Sequence, residues 1–113
     1  MPEIKSDPLY RMLREGKIQR FNEQVAAGAE VDLSNADLRN VELRGADLHR
    51  ANLRGAYLRN TDLRGCDLSQ ADLAGASIHG AKIGGALFPE NLCAQEIRLS
   101  AELGTRMRTR HGE

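Results

Sequence analysis

Aromatic residues are scarce in this chain: it has no tryptophan, and Tyr10, Phe21, Tyr57 and Phe88 are its only aromatic side chains. Hydrophobic residues nevertheless make up 41% of the 113 residues, and most of them are leucine and alanine. A globular core of this size would normally contain more bulky rings. The composition therefore favours a narrow and regular core over an ordinary globular one.

Cysteine is also sparse, and long apolar runs are missing. Cys66 and Cys93 lie far apart and form no CxxC pair, so we predict two reduced thiols and no disulfide framework. Residues 1–7 contain no apolar run, so we expect no signal peptide. No stretch approaches the ~20 apolar residues that a membrane-spanning helix needs. We accordingly expect a cytoplasmic protein that does not enter a membrane.

An excess of one charge is missing as well, because sixteen basic and sixteen acidic residues give a formal net charge of zero. Bulk electrostatics therefore favour neither nucleic acid nor an anionic membrane as a partner. His49, His79 and His111 have no cysteine or paired carboxylate at metal-ligand spacing. No serine has a base at a suitable spacing, and no phosphate-binding loop is present. We predict that the chain is not an enzyme and has no metal, cofactor or small-molecule substrate.

The sequence has instead a five-residue repeat between residues 31 and 90. A period of five fits neither a helix nor a simple strand, but it fits a chain that turns a corner every five residues. The third position is apolar throughout and would point inward, the first is small, and Gly or Asn at the fifth suits a corner. The twelve units are VDLSN, ADLRN, VELRG, ADLHR, ANLRG, AYLRN, TDLRG, CDLSQ, ADLAG, ASIHG, AKIGG and ALFPE.

These units resemble the pentapeptide-repeat family, whose pattern is A(D/N)LXX. The resemblance implies a β-solenoid, namely a right-handed, four-sided parallel β-helix with four units per coil. Twelve units would then make about three coils, with a height of about 14 Å at the usual strand spacing. Inward side chains would stack one coil apart, as in Leu38, Leu58 and Ile78. Cys66 would be a small core residue.

The flanking segments are predicted to cap the solenoid, because its ends otherwise expose unpaired backbone. Asp7 and Pro8 predict the start of one helix, and a second is expected over about 17–27, followed by Gly28. The predicted division is therefore an N-terminal helical cap over 1–30 and a β-helix over 31–90.

The last predicted segment, 91–113, is a C-terminal helix with a basic tail. The helix is expected over about 94–103 and stops at Gly104. Its apolar residues form two groups: one face has Ala94, Ile97 and Ala101, and nearly opposite are Leu99 and Leu103. The tail, Thr105-Arg-Met-Arg-Thr-Arg-His, is expected to be mostly solvated.

Apolar residues near this end predict a homodimer. Together they could form a patch large enough to associate, and a two-fold contact is the commonest outcome. The alternative is that the basic tail folds back and covers Leu99 and Leu103 with Met107 and its arginine stems. The candidate dimer contact consists of Leu87, Leu92, Leu99 and Leu103.

Arginine recurs at the outward fourth position, and two interpretations stay open. The first is an ion-pair lattice with neighbouring acids, which keeps a flat β-surface soluble. The second is a recognition face for an acidic protein partner, since arginine and exposed aromatics anchor interfaces. Tyr57 is the exposed aromatic, standing where the repeat usually has Asp or Asn. The candidate partner-binding face consists of Arg39, Arg59, Arg44, Arg64 and Tyr57.

These features predict a non-catalytic protein-interaction or scaffold module that acts as a homodimer on an unidentified protein partner. Some members of the family imitate duplex DNA and bind DNA gyrase. That alternative is less favoured, because the repeats hold eight acids against seven bases and about 14 Å matches only about four base pairs. Direct nucleic-acid binding through the arginine stripes is the third alternative, and it lacks an aromatic stacking platform. A purely structural role stays open.

Overall fold

The computed structural model describes residues 7–110 of the chain. Its helices are α1 (Pro8–Arg14), α2 (Ile18–Ala26) and α3 (Ala94–Leu103), and the repeats lie between α2 and α3. Helices α2 and α3 agree with the predicted spans to within one residue at each end, and α1 begins at Pro8 as predicted. Within the described range, no helix combines the length and the apolar character needed to cross a membrane.

The repeats are joined by parallel bridges between residues that lie twenty positions apart. Twenty residues are four units, so each bridged unit lies on the fourth unit after it and the chain forms a β-solenoid. The bridges are single residues and not extended strands: Asp32–Asn52–Asp72, Asp37–Tyr57–Ser77, Glu42–Asp62–Lys82 and Asp67–Leu87.

We number the four columns of units in chain order. Stack 1 contains 31–35, 51–55 and 71–75, and stack 2 contains 36–40, 56–60 and 76–80. Stack 3 contains 41–45, 61–65 and 81–85, and stack 4 contains 46–50, 66–70 and 86–90. Stacks 2 and 4 are separated by two units along the chain in either direction, so they lie on opposite sides of a four-unit turn.

A column of leucines forms the interior, as the repeat predicted. Every third-position side chain from Leu33 to Ile78 is at most 1% exposed. Small first-position residues fill the remaining space, and Cys66 donates a hydrogen bond from its thiol to the carbonyl of Leu43 at 3.3 Å. Burial raises the pKa of the Cys66 thiol. Cys66 is therefore a core residue, as predicted.

The corners of the solenoid use two kinds of residue. Asn35, Asn40 and Asn60 have φ between 58° and 63°, a left-handed conformation that asparagine tolerates better than most residues. Glycine takes the equivalent place in the other units of stacks 1 to 3. Arg50 and Gln70, which end the first two units of stack 4, do not have positive φ. One corner in each turn is therefore built differently.

Side chains from α1 close the first turn of the solenoid. Asp7 caps this helix by accepting the N–H of Leu9 at 2.8 Å. The Tyr10 hydroxyl then donates to the carbonyl of Asp37 at 2.7 Å, and Arg14 donates to the carbonyl of Arg39 at 2.9 Å. These donors replace the backbone N–H groups that a preceding turn would have supplied.

An asparagine in α2 supplies hydrogen bonds to the next corner of the first turn. Asn22 donates its side-chain N–H to the carbonyl of Gly45 and accepts the N–H of Asp47, both at 2.8 Å. An amide group has both a donor and an acceptor, so a single side chain imitates a stretch of backbone. The predicted N-terminal cap therefore acts through hydrogen bonds as well as apolar cover.

The last turn is closed by α3 in the same manner. The Ser100 hydroxyl accepts the N–H of Ile78 at 3.0 Å, and the N–H of Gly80 donates to the carbonyl of Ala101 at 3.0 Å. The buried face of α3 is accordingly polar, formed by Glu96 and Ser100.

This polar face corrects the predicted orientation of α3. Ile97 and Ala101 pack against the core, but Ala94 is exposed and does not share their burial. The end of a solenoid presents unpaired N–H groups, and a serine hydroxyl can satisfy one where a methyl group cannot.

The basic tail packs against the last turn at Met107 and Thr109, so the prediction of a mostly solvated tail is wrong in part, although Thr105, Arg106, Arg108 and Arg110 are exposed. Met107 is 1% exposed, its N–H donates to the carbonyl of Ala76 at 2.8 Å, and its carbonyl accepts the N–H of Gly75 at 2.7 Å. Glu96 accepts the Arg108 N–H at 2.9 Å and pairs with its guanidinium at 2.7 Å. The tail covers the open edge of the last turn. His111 lies outside the described residues.

Candidate functional site

The four arginines of the predicted face lie on two neighbouring stacks. Arg39 and Arg59 project from stack 2, Arg44 and Arg64 project from stack 3, and all four are exposed. The sequence therefore placed them correctly relative to one another.

Two of these arginines are held by an acid in their own unit. Arg39 donates Nε and Nη2 to the two oxygens of Asp37, both at 2.8 Å. Arg64 does the same to Asp62 at 3.0 and 2.7 Å. These hydrogen bonds lower the pKa of Asp37 and hold that of Asp62 at about 2. In these two units the arginine surface behaves as an ion-pair lattice.

The same geometry recurs wherever a second-position acid has a suitable fourth-position neighbour. His49 bonds Asp47 at 2.8 Å, and Ser69 donates its hydroxyl to Asp67 at 2.6 Å. A carboxylate at the second position is therefore normally hydrogen-bonded to the polar side chain two residues later.

Arg59 is an exception, because Tyr57 stands where the acid would be. Among residues 7–110, the Arg59 guanidinium makes no hydrogen bond or ion pair. Arg44 likewise has no such partner in that range, and its unit has the longer Glu42 in place of aspartate. The predicted face thus contains two engaged and two unengaged arginines.

Tyr57 is not the freely exposed aromatic that the sequence predicted. The Arg106 guanidinium from the tail lies 5.2 Å from the centre of its ring and donates Nη2 to its hydroxyl at 2.6 Å. Arg106 also donates to the carbonyl of Gly75 at 3.2 Å. Tyr57 is half-buried as a result. The tail gives no sequence signal for this contact, because Arg106 is one of several similar arginines.

A groove follows stack 2 between α1 and the tail. It consists of two adjoining depressions of about 280 and 370 Å³ that share Arg39 and Arg59. Among residues 7–110, Asp37 is the one acid that lines them, so this part of the chain makes the groove positive although the whole chain has zero net charge. We call this the stack-2 groove. Its basic side chains are Arg14, Arg39, Arg59 and Arg106, with His79 beside them.

Comparison with known protein families agrees with this fold. A family model described as pentapeptide repeats, with eight copies, matches residues 29–65 and 51–88. The chain belongs to the pentapeptide-repeat family. Members of this family are generally structural or interaction modules without enzymatic activity, and the bridged five-residue units are its β-solenoid. Among curated proteins, no sequence matches this pentapeptide-repeat chain.

A larger depression of the pentapeptide-repeat chain lies elsewhere. A groove of about 900 Å³ lies between residues 25–32 and 47–52, beside the Asp47–His49 pair. None of the predicted site residues lines it. Across residues 7–110, no three His, Cys, Asp or Glu side chains are grouped so that they could hold a metal ion.

The four leucines of the predicted dimer contact do not form one patch. Leu92 is buried in the chain's own core at 6% exposed, so it is not available to a second copy. Leu103 is 68% exposed and lies beside the stack-2 groove, whereas Leu87 is 58% exposed in stack 4 on the opposite side. Leu99 is half-buried. The rival prediction is wrong in part, because Met107 folds back but Leu103 stays uncovered.

Proposed function

We propose that this chain is a non-catalytic protein-interaction module that binds an acidic protein partner through the arginines of stacks 2 and 3. The observation that supports this most directly is the state of Arg59 and Arg44. Both are exposed and make no hydrogen bond or ion pair among the described residues, although Arg44 lies near enough to Asp62 to help lower its pKa, while Arg39 and Arg64 are held by aspartates. An unengaged arginine keeps its charge and its five donors available for another molecule.

A rigid scaffold is part of this proposal. We propose a right-handed, four-sided β-helix of about three coils over 31–90, with caps over 1–30 and 91–113. The twenty-residue bridging and the leucine interior support this form. Rigid stacking fixes the arginines of one stack about 4.8 Å apart at their backbones, so little order has to be gained when a partner binds. We propose a cytoplasmic location for such a module.

The experiment for this proposal is capture of partners by cross-linking, with the charge on the two unengaged arginines reversed. R44E/R59E is expected to lose the bound protein, because like charges would then face the acidic surface of the partner. R20E/R98E changes the net charge equally at exposed sites on α2 and α3, and it is expected to keep the partner. A partner retained equally by both double variants would contradict this binding face.

We also propose a homodimer through the C-terminal end, now supported only by Leu103 and Leu99. These residues are four apart and therefore lie on one face of α3. Light scattering at micromolar protein is expected to give a dimeric mass, and L99E/L103E is expected to give a folded monomer. L87E, on the opposite side, is the control and should leave the dimer intact. A monomeric mass for the unaltered chain would refute the dimer.

DNA mimicry is the weaker alternative for this chain. A mimic of the duplex needs a long and strongly negative surface, whereas the stack-2 groove is positive and the repeats are close to neutral. We accordingly expect no inhibition of gyrase supercoiling by this protein. Direct nucleic-acid binding is also less favoured, since Arg106 already covers the face of Tyr57.

A further inference from the structure

We infer that Arg59 is a receptor for a carboxylate that an acidic segment of the partner protein supplies, in the place that an aspartate fills in neighbouring units. The inference rests on the proposed interaction function and specifies the chemistry of its central contact. It is carried by the geometry of stack 2, where one unit has the arginine of the pair and lacks the acid.

The chain itself contains the template for this contact. In unit 36–40, both oxygens of Asp37 accept from Nε and Nη2 of Arg39 at 2.8 Å. In unit 61–65, Asp62 and Arg64 repeat the arrangement. Such two-point pairs are the strong form of the arginine–carboxylate contact. The backbone of a repeat unit therefore holds a fourth-position arginine where a carboxylate at the second position can meet it.

Unit 56–60 has the same backbone arrangement without the acid. Tyr57 is bridged to Asp37 on one side and to Ser77 on the other, so its unit is in register with those around it. The hydroxyl of Tyr57 is engaged by Arg106, and the described residues provide Arg59 with no other acceptor. An external carboxylate can complete the pair that this unit lacks.

The surroundings of Arg59 favour an anion. Arg14, Arg39 and Arg106 line the same groove, and the single acid there is already bonded to Arg39. Like charges brought together in this way are offset when an anion enters between them. Asn40 and Asn60 also line the groove and add side-chain amides. A segment with several acids, lying along the groove, would contact more than one of these groups.

An acidic peptide fits this groove better than a nucleic acid does. Single strands usually bind with their bases stacked on exposed aromatic faces, and the face of Tyr57 is occupied by Arg106 at 5.2 Å. The neighbouring pairs also show that the unit geometry receives two oxygens on one carbon, which is the shape of a carboxylate. We therefore assign the occupant as an aspartate- or glutamate-rich segment.

The test is fluorescence anisotropy with a fluorescein-labelled hexaglutamate peptide at low ionic strength, with hexaglutamine as the uncharged probe. We expect hexaglutamate to bind, R59A to weaken it about fivefold, as an exposed but two-point pair would, and added salt to weaken it further. R20A removes an exposed arginine of α2 that lines neither depression of the stack-2 groove, and it is expected to leave the affinity unchanged.

A matched pair of variants separates the missing carboxylate from general charge. Y57D restores the acid inside the unit and is expected to weaken hexaglutamate binding about fivefold, as R59A does, with every arginine retained. Y57N introduces a side chain of the same size as Y57D does and removes the same contact between Arg106 and the Tyr57 ring, but it supplies no carboxylate. We therefore expect Y57N to bind hexaglutamate as the unaltered chain does. Thermal melts of both variants check that they are folded.

A side-chain NMR titration reports on the contact directly. The Nε–H signal of Arg59 is expected to shift on addition of hexaglutamate, whereas those of Arg39 and Arg64, which already donate to aspartates, should shift less. Equal loss of binding in Y57D and Y57N, or equal effects of R59A and R20A, would overturn the inference. Tighter binding of an oligothymidine at the same salt would also overturn it. A partner captured in the cross-linking experiment despite absent hexaglutamate binding would leave the interaction function standing and reject only the carboxylate site.

Discussion

Replacing Leu58 by aspartate is expected to unfold the chain. Leu58 lies in the second unit of stack 2, is fully buried, and sits between Leu38 and Ile78 in the interior column. Loss of the leucine side chain alone would cost about 2–5 kcal/mol. Burial of an unpaired carboxyl group adds a further penalty of several kcal/mol. Together these costs match the whole stability of a small domain, about 5–15 kcal/mol.

Circular dichroism during thermal unfolding is the measurement for this variant. Q70D is the matched control, since it introduces the same residue at an exposed corner of the same turn, and it is expected to melt close to the unaltered chain. A cooperative melt of L58D near that of Q70D would show that Leu58 does not point into the core.

The repeat was predictable because every unit must bury one apolar side chain within five residues. A leucine that must be buried every five residues, with a small residue before the acid, restricts the chain to a turn with one inward position per unit. The helices were predictable for a similar reason: Asp7 before Pro8, and Gly104 after Leu103, are end signals that act within one turn of helix. Gly104 indeed has the left-handed φ of 76°.

The corner positions of the sequence contain one further signal of the fold. The fifth position is Gly or Asn except at Arg50, Gln70 and Glu90, which recur every twenty residues. The structure explains this recurrence, since Arg50 and Gln70 lie at the corner that does not need positive φ. Any L-residue fits there, whereas the other corners favour residues that tolerate the left-handed region. This pattern alone indicates four units in each turn.

The ends of the solenoid could not be predicted in detail, because their partners are backbone groups. Asn22 and Ser100 lie in helices whose apolar pattern draws attention to other positions, yet they satisfy the open turns. Nothing in the repeat marks which N–H or C=O is left unpaired. Within residues 7–110, every fully buried side-chain polar atom has a hydrogen-bond partner.

The sequence predicted which positions form the candidate site, but not which of its side chains are already hydrogen-bonded within the chain. The period placed Arg39 and Arg59 in one stack, because twenty residues separate them. Which arginine is engaged depends on the residue two positions earlier, and the sequence does show Tyr57 there. The contact of Arg106 with Tyr57 depends on where the tail folds, and a tail with one apolar residue among arginines and threonines has no periodic signal.

A chain that ends after Gly104 is expected to lose about 2.5–6 kcal/mol of stability. The truncation removes Met107, whose burial contributes about 1.5–3 kcal/mol. It also removes the two backbone hydrogen bonds that Met107 makes with Gly75 and Ala76, each contributing about 0.5–1.5 kcal/mol. The midpoint of thermal unfolding should fall by more than about 10 °C. M107A is expected to lose about 2–3 kcal/mol with the backbone contacts kept.

The stabilisation by the tail is also expected to depend on pH. Hydrogen bonds from Arg108 lower the pKa of Glu96, so this contact stabilises the fold above the range where a free glutamate titrates, about 4.3. The contribution is lost as pH falls through the lower pKa of the folded state. The difference in stability between the full chain and the truncated one should therefore shrink in acid, and E96Q should remove most of that pH dependence.

A chain that ends after Arg110 keeps every described tail contact and is the control for the truncation after Gly104. If the chain ending after Gly104 melted like this control, the tail would not be the cap of the last turn, and the polar face of α3 alone would have to close it.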